Sequence, residues 1–259
     1  MGNLFIFGMG YSAARIAAAM TAEGWRVEGT GKGGTLAFGD ASAVELALAR
    51  ASHVLSSVPP VEDDDPVLAG FQGALAGRWL GYLSSTGVYG DTGGAWVDES
   101  ALTGGGRRGA RVEADSRWLA LGARVFRLPG IYGPGRSPLD RVLAGTAHRI
   151  DLPRQVFSRI HVEDIAGGVA AAIAADAPPG AYNLADDEPA SQNAVVEHAC
   201  RLLGLPLPPL QTLDEAKLSP MARSFYAENR RVANGKLKRV ANWQLRFPSY
   251  REGLASLVS

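Results

Sequence analysis

Near its start the chain carries an uninterrupted apolar run, Leu4–Phe7, the pattern of a strand buried on both faces. Gly8-Met9-Gly10-Tyr11-Ser12-Ala13 follows, and Ala13, Ile16, Ala17 and Met20 then recur at helical spacing in a stretch that runs to Glu23. Gly24 stands where a helix terminus favours a left-handed residue, and Trp25–Thr30 returns as a second strand. Strand, glycine turn, helix and strand make a βαβ unit. The alternation continues with Leu36–Phe38 as a short third strand, Ser42–Ala51 as a helix and His53–Val58 as a strand stopped by Pro59-Pro60. Val67, Leu68, Phe71 and Leu75 mark an amphipathic helix, and Trp79–Leu83 the next strand. Residues 108–121 read as a helix and Arg124–Leu128 as a strand ended by Pro129. Beyond Gly133 the rhythm loosens, with a helix over Ile165–Ala174, a strand over Ala181–Leu184, and a helix-leaning, proline-punctuated remainder. Strands alternating with helices predict an α/β fold with a mostly parallel sheet covered on both faces, and a smaller lobe over its carboxyl edge.

Composition narrows the function classes. Lys+Arg and Asp+Glu are both 26, so the formal net charge is zero; a dedicated nucleic-acid binder needs surplus positive charge, and none is expected as a partner. One cysteine, Cys200, excludes an internal disulfide framework and suits a reducing compartment. Four scattered histidines give no metal-ligand spacing, so no metal is expected. The longest helical apolar stretch, Ile165–Ala175, falls well short of the roughly 20 residues of a membrane span. The first residues lack a basic leader, so a cytoplasmic protein with no membrane partner is expected.

The glycine loop carries the candidate chemistry. Gly8-x-Gly10-x-x-Ala13 fits the dinucleotide fingerprint in its required strand-to-helix context. The first glycine makes the tight turn, the second lets the backbone approach a pyrophosphate, and a small third residue lets the helix pack on the sheet. Free N–H groups and the dipole at the helix start then hold the phosphates, which makes Gly8, Gly10, Tyr11, Ser12 and Ala13 the expected cofactor-binding residues. At the end of the second strand an NAD binder usually places a carboxylate. Here stands Thr30-Gly31-Lys32-Gly33-Gly34, so Thr30 and Lys32 join the set and Lys32 suits the 2′-phosphate of NADP; NAD stays possible, and the alternative is that Lys32 is a solvated loop residue. Glu28 is placed too early, inside the strand.

Further segments resemble one family, the extended short-chain dehydrogenases/reductases of the epimerase/dehydratase group. Tyr82-Leu-Ser-Ser-Thr-Gly-Val-Tyr-Gly90 is similar to its fifth strand, and Arg127-Leu-Pro-Gly-Ile-Tyr-Gly-Pro-Gly135 to its sixth. Arg159-Ile-His-Val-Glu-Asp164 and Tyr182-Asn-Leu-Ala-Asp186 resemble two later signatures in the right order. The resemblance implies a doubly wound, Rossmann-type parallel sheet with a small C-terminal substrate lobe. It implies a dinucleotide-binding domain over 1–133 plus about 158–185, and the lobe over about 134–157 and 186–259. It also implies that Ser85, with Thr86 beside it, hydrogen-bonds the reacting group, and that Pro129 and Ile131 hold the nicotinamide. Taken alone, Ser84-Ser85-Thr86 reads as a strand end capping a turn. Arg159 and His161 reach toward the substrate cleft in one reading, and His161 is a satisfied core histidine in the other.

The chain departs from the family at its proton relay, a Tyr-x-x-x-Lys pair on the helix after the fifth strand. Residues 91–130 contain neither Tyr nor Lys. Alignment puts Arg107 on the tyrosine and Arg111 on the lysine, and arginine is a poor general acid–base. The resemblance is therefore to the atypical branch, whose members often lack the pair. Arg107 and Arg111 either present fixed charge to cofactor or substrate, or point to solvent or pair with Asp115. Two functions follow: an NAD(P)-dependent oxidoreductase, epimerase or dehydratase acting on a sugar-like or nucleotide-sugar-like small molecule, with Tyr89, Tyr132 or His161 as replacement base; or a non-catalytic NADP-binding sensor or scaffold. A homodimer is a possible assembly. The basic run Arg230-Arg231…Lys236…Lys238-Arg239 reads as a solvated helix face rather than an anion site.

Overall fold

Leu4 and Ile6 of the first strand face one side of the sheet, Phe5 and Phe7 the other, and all four are buried because each side carries its own helical layer. The computed structural model describes residues 2–104 and 109–258. Its strands in chain order are β1 (Asn3–Phe7), β2 (Arg26–Gly29), β3 (His53–Ser56), β4 (Trp79–Ser85), β5 (Trp96–Val97) and β6 (Arg124–Leu128). They continue with β7 (Gly130–Tyr132), β8 (Arg149–Ile150), β9 (Arg159–His161), β10 (Gly180–Asn183), β11 (Leu210–Gln211) and β12 (Arg231–Val232). Six of these form the central sheet in the order β10-β6-β4-β3-β1-β2, every pair parallel. The order reverses beside β1, and in such sheets ligands bind at that switch point, outside the strands' carboxyl ends.

The helices account for both layers. On the Leu4 side, α1 (Tyr11–Ala22) buries Ala13, Ile16 and Met20 against the later helix over Val162–Ala174, whose Ile165, Val169 and Ile173 complete that core. On the Phe5 side lie α2 (Ala41–Arg50), α3 (Pro66–Phe71) and α4 (Gly109–Ala120). Asp65 stitches two of them together. One of its oxygens accepts from the Val67 and Leu68 N–H groups at the start of α3, and the other accepts from Trp118 Nε1 of α4 at 2.8 Å. Trp118 in turn stacks on Tyr82 of β4, ring centres 5.3 Å apart.

The remaining helices are α5 (Pro138–Leu143), α6 (Val162–Ala174, introduced above), α7 (Gln192–Leu203), α8 (Pro220–Phe225), α9 (Gly235–Ala241) and α10 (Tyr250–Ala255). Helices α5, α7 and α10 share a separate apolar cluster with Tyr132, built from Leu139, Val142, Val195, Val196, Ala199 and Leu254. That cluster is the core of the smaller lobe, and β7 pairing with β9 joins it to the sheet. The two other short pairs are β8 with β11 and β5 with β12.

Two expectations change. Leu36–Phe38 forms no strand; a single bridge from Thr30 to Leu36 remains, because Gly31, Gly33 and Gly34 fold the chain back onto the glycine loop instead of extending it. The strand that matches the family's fifth is consequently the fourth of this chain. The second strand is also shorter than Trp25–Thr30, spanning Arg26–Gly29. Among the described residues no helix is long and apolar enough to cross a membrane.

Candidate functional site

The carboxyl ends of β1, β3, β4 and β6 lie along one edge, and the site is assembled there. Gly8 leaves β1 with φ +79°, and a Cβ on it would meet Val58 Cγ2, just past β3, at 2.9 Å. Gly10 is different: a Cβ built on it meets only the Gly8 carbonyl oxygen, at 4.0 Å. It is the N-cap of α1, offers no side chain to the helix's free N–H groups, and no acidic residue occupies the first turn. An uncapped helix start beside open space is the arrangement that attracts a phosphate. Ser12 and Ala13 are buried beneath the turn, Ala13 packing on the sheet as a small third residue should.

The segment after β2 holds this turn in place. Met9 N–H donates to Thr30 O at 2.7 Å, Gly8 N–H to Thr30 Oγ1 at 3.2 Å, and Gly33 N–H to Met9 O at 3.1 Å. Thr30 is therefore a buried support of the loop. Lys32, two residues on, is exposed, and among the described residues no carboxylate pairs with it. Glu28 lies inside β2, as the spacing indicates, and is engaged by Arg26 at 3.3 Å and Arg50 at 3.4 Å.

At the end of β4, Ser85 Oγ accepts the Gly87 N–H at 3.1 Å, which caps the following short turn and leaves the hydroxyl proton available. Thr86 is buried beside it. Ser84 and Tyr82 face the opposite way, into α4. Ser84 Oγ donates to Asp115 Oδ2 at 2.7 Å, and Arg127 of β6 grips both Asp115 oxygens at 2.7 and 3.1 Å. Arg127 also donates to Tyr89 OH at 3.0 Å, which donates to Asn183 Oδ1 of β10 at 2.7 Å. This closed network is buried, and burial pushes the Tyr89 hydroxyl up despite the Arg127 charge. Arg111 Nη1 donates to Tyr82 OH at 2.7 Å. Asp115 is thus paired with Arg127, not with Arg111, and Arg107 lies outside the described residues.

Pro129 and Gly130 follow β6, with Gly130 exposed and Ile131 packed toward the α1 side of the core. In the β7–β9 pair, Arg159 stands opposite Gly130 and His161 opposite Tyr132. Arg159 is buried; Nη1 donates to the Phe157 and Ala190 carbonyls and Nη2 to Gln192 Oε1, and desolvation lowers it to about 10. Asp186, following β10, donates its N–H to the Arg159 carbonyl at 2.7 Å. Asp186 is 1% exposed, and among the described residues neither carboxylate oxygen has a hydrogen-bond partner. Burial raises it to about 8, although the Arg159 charge and the Glu188 N–H favour the anion. Tyr132 is raised as well, by burial first and the Asp186 charge second. His161 Nδ1 accepts the Glu163 N–H at 3.2 Å, Nε2 has no partner among the described residues, and burial holds the ring down near pKa 4.

No family model matches this sequence. A structure of a conserved protein of unknown function from Silicibacter pomeroyi DSS is 42% identical, with a TM-score of 0.88 over 99% of this chain and 98% of that one. The chain belongs to that protein's family. Its fold is that of the epimerase/dehydratase-type extended short-chain dehydrogenases/reductases. dTDP-glucose 4,6-dehydratase from Bacillus anthracis, in complex with NAD, superposes with a TM-score of 0.77 at 16% identity, over 100% of this chain and 96% of that one. The human epimerase family protein SDR39U1, with NADPH, gives 0.77 at 15% identity, over 99% of each chain. Among curated proteins, a 3-diazoavenalumate denitrifying reductase from a Streptomyces species is 33% identical over 148 residues, 52% of this chain and 46% of that protein. Protein YeeZ of Escherichia coli K12 is 29% identical over 146 residues, 52% of this chain and 50% of its own. The chain thus spans about half the length of the curated relatives it matches.

Within that family fold, residues 8–13, Thr30 and Lys32 gather at the start of α1, and Ser85, Thr86, Pro129 and Ile131 at the ends of β4 and β6. Arg111 turns to Tyr82 on the α4 side of the sheet. The basic run is engaged by the protein itself: Lys236 donates to the Ala181 carbonyl and Lys238 pairs with Asp187. Sequence reading passed over Asp186 and the Asp115–Arg127 pair. The last residue of the Tyr182–Asp186 segment and the inward helical position of Asp115 were the available signals.

Two outcomes follow. Arg127→Met leaves a buried carboxylate short of its charge partner and should cost about 3–5 kcal/mol in urea unfolding, while Arg127→Met with Asp115→Leu recovers most of that. A double variant no more stable than the single would contradict the pairing. Asp186 binds its proton more tightly folded (about 8) than unfolded (3.8), so its contribution to stability falls as pH rises between those values. Asp186→Asn should be the more stable protein at pH 9 and lose that advantage at pH 4; parallel stability curves would refute the burial argument.

Proposed function

We propose that this protein binds a nicotinamide dinucleotide at the start of α1, with NADP preferred over NAD, and works as an oxidoreductase or epimerase/dehydratase-type enzyme on a small sugar-like or nucleotide-sugar-like molecule. The observation that carries the reading is the uncapped α1 terminus at the sheet's switch point, where Gly10 faces open space. The residues fit the group: Gly8 turns the chain away, Gly10 admits the pyrophosphate, and the Tyr11, Ser12 and Ala13 N–H groups lie in the first turn that would hold it. Unpaired Lys32 supplies the charge that favours a 2′-phosphate. The nicotinamide, once bound, supplies or accepts the hydride.

The chain's own part is positional. Pro129 and Ile131 wall the nicotinamide end, and the free Ser85 hydroxyl proton is offered to a carbonyl or hydroxyl of the substrate, with Thr86 behind it. The substrate enters between this edge and the lobe formed from about 134–157 and 186–259. That one of the curated relatives is a reductase supports a reductive reaction. A second reading, a dinucleotide-binding sensor without turnover, is favoured by α4: Arg111 and Asp115, which hold its inward positions, are consumed by Tyr82, Ser84 and Arg127.

Titration of the protein with NADPH and NADH, followed by nucleotide fluorescence, tests the assignment. A charge-assisted contact is worth about 1.5–3 kcal/mol, so Lys32→Ala should weaken NADPH by roughly ten- to a hundredfold and leave NADH nearly unchanged. Gly10→Val should abolish both while the fold survives. Equal affinity of the native protein for the two nucleotides rejects the NADP preference, and an unaffected Gly10→Val variant rejects the site.

A further inference from the structure

A short strap crosses the start of α1. Gly133 and Arg136 exchange backbone hydrogen bonds at 3.2 and 3.0 Å, closing a tight turn, and Tyr11 OH donates to the Pro134 carbonyl at 3.2 Å. The Arg136 guanidinium lies over the Tyr11 ring, 5.7 Å from its centre. Arg136 is exposed, and among the described residues no carboxylate pairs with it. The space between strap and helix is tight: a Cβ on Gly133 would lie 2.7 Å from Tyr11 OH and 3.5 Å from His161 Nε2.

That His161 nitrogen is the second observation. Because Nδ1 accepts the Glu163 N–H, the neutral ring carries its proton on Nε2, so an N–H donor lies against the strap with no acceptor among the described residues. The side chain is 2% exposed, and an unmet buried donor costs about 1–3 kcal/mol unless something accepts from it. Burial and the Arg246 and Arg15 charges keep the ring neutral, so it stays a single donor. Arg15, one turn into α1, is already paired with Glu163 at 3.5 Å, whereas Arg136, like Lys32 on the β2 side, is uncommitted among the described residues.

We propose that Arg136, Tyr11 and His161 form a phosphate clamp that closes over the dinucleotide's pyrophosphate from the side opposite the glycine loop. The clamp rests on the dinucleotide reading above and adds to it a set of donors from the lobe side of the cleft. Arg136 gives the charge, the Tyr11 ring holds the guanidinium beside the helix start, and His161 Nε2–H donates to an oxygen of the bound group. Because the ligand's pyrophosphate is common to NADPH, NADH and ADP-ribose, the clamp strengthens all three and does not discriminate between them. Lys32 does the discriminating.

The test is calorimetric titration of the whole protein with NADPH, NADH and ADP-ribose. Arg136→Ala changes an exposed side chain and should weaken all three by about ten- to a hundredfold, with a shallower dependence on salt. His161→Asn keeps an oxygen to accept the Glu163 N–H, removes the Nε2 donor, and should weaken all three by about tenfold. Wild-type binding of the three ligands with both variants unchanged overturns the clamp and leaves the dinucleotide site standing. A loss confined to NADPH overturns it too, by placing Arg136 on the 2′-phosphate. A wild-type protein that binds none of the three removes the dinucleotide reading and the clamp with it.

Discussion

The contact of two backbones decides where α1 begins. Met9 donates to Thr30, Gly33 donates to Met9, and a Cβ on Gly31 would sit 2.9 Å from the Met9 nitrogen, so the turn after β1 and the loop after β2 pack with no side chain between them. Only glycine permits such an approach. Fixed in this way, the turn ends at Gly10, α1 starts without a side-chain cap, and Gly10 borders open space at the switch point of the sheet. Everything proposed for this protein depends on that one exposed helix start, from the seat of the pyrophosphate to the strap that crosses it.

The opposite face of the sheet has been given over to structure. In the resembling family the helix after the matching strand carries the proton relay. Here Asp115 of that helix locks Ser84 and Arg127, and through Arg127 the network reaches Tyr89 and Asn183. Tyr89 therefore has its hydroxyl committed in both directions. A buried ion pair of this kind costs desolvation, which close bidentate geometry offsets, and it fixes the relative register of β4, β6 and β10. Among the buried polar groups without a hydrogen-bond partner in the described residues, the Asp186 carboxyl and the His161 Nε2 lie instead on the lobe side. Perturbed, unpartnered groups gather where a ligand completes the hydrogen bonding.

The βαβ start was legible because Leu4–Phe7 is buried from both sides and the glycines sit at a strand-to-helix junction. The alternation after it also gave the helices and parallel strands on each face. Leu36–Phe38 was not legible: three apolar residues look like a strand, but the neighbouring glycines fold the chain back first, and one bridge is all that forms. The β7–β9 pair was hidden for the opposite reason, since three residues on each side carry no periodicity to read. Polar residues were the least legible. Nothing in the spacing of Asp115 and Arg127 says that they meet across α4 and β6, and nothing local shows that Asp186 ends up beneath the lobe without a donor. Tyr11 was visible as a loop residue, whereas its contact with the Pro134 carbonyl joins segments far apart in the chain.

The most direct measurement is amide hydrogen exchange along the whole chain, with and without saturating NADPH. The account predicts slowed exchange at residues 9–13 and 133–136, since a bound pyrophosphate would engage the first turn of α1 and immobilise the strap above it. Little change should reach the amides of α4, whose inward side chains are already committed. Protection absent from 9–13, or concentrated on α4, would contradict it.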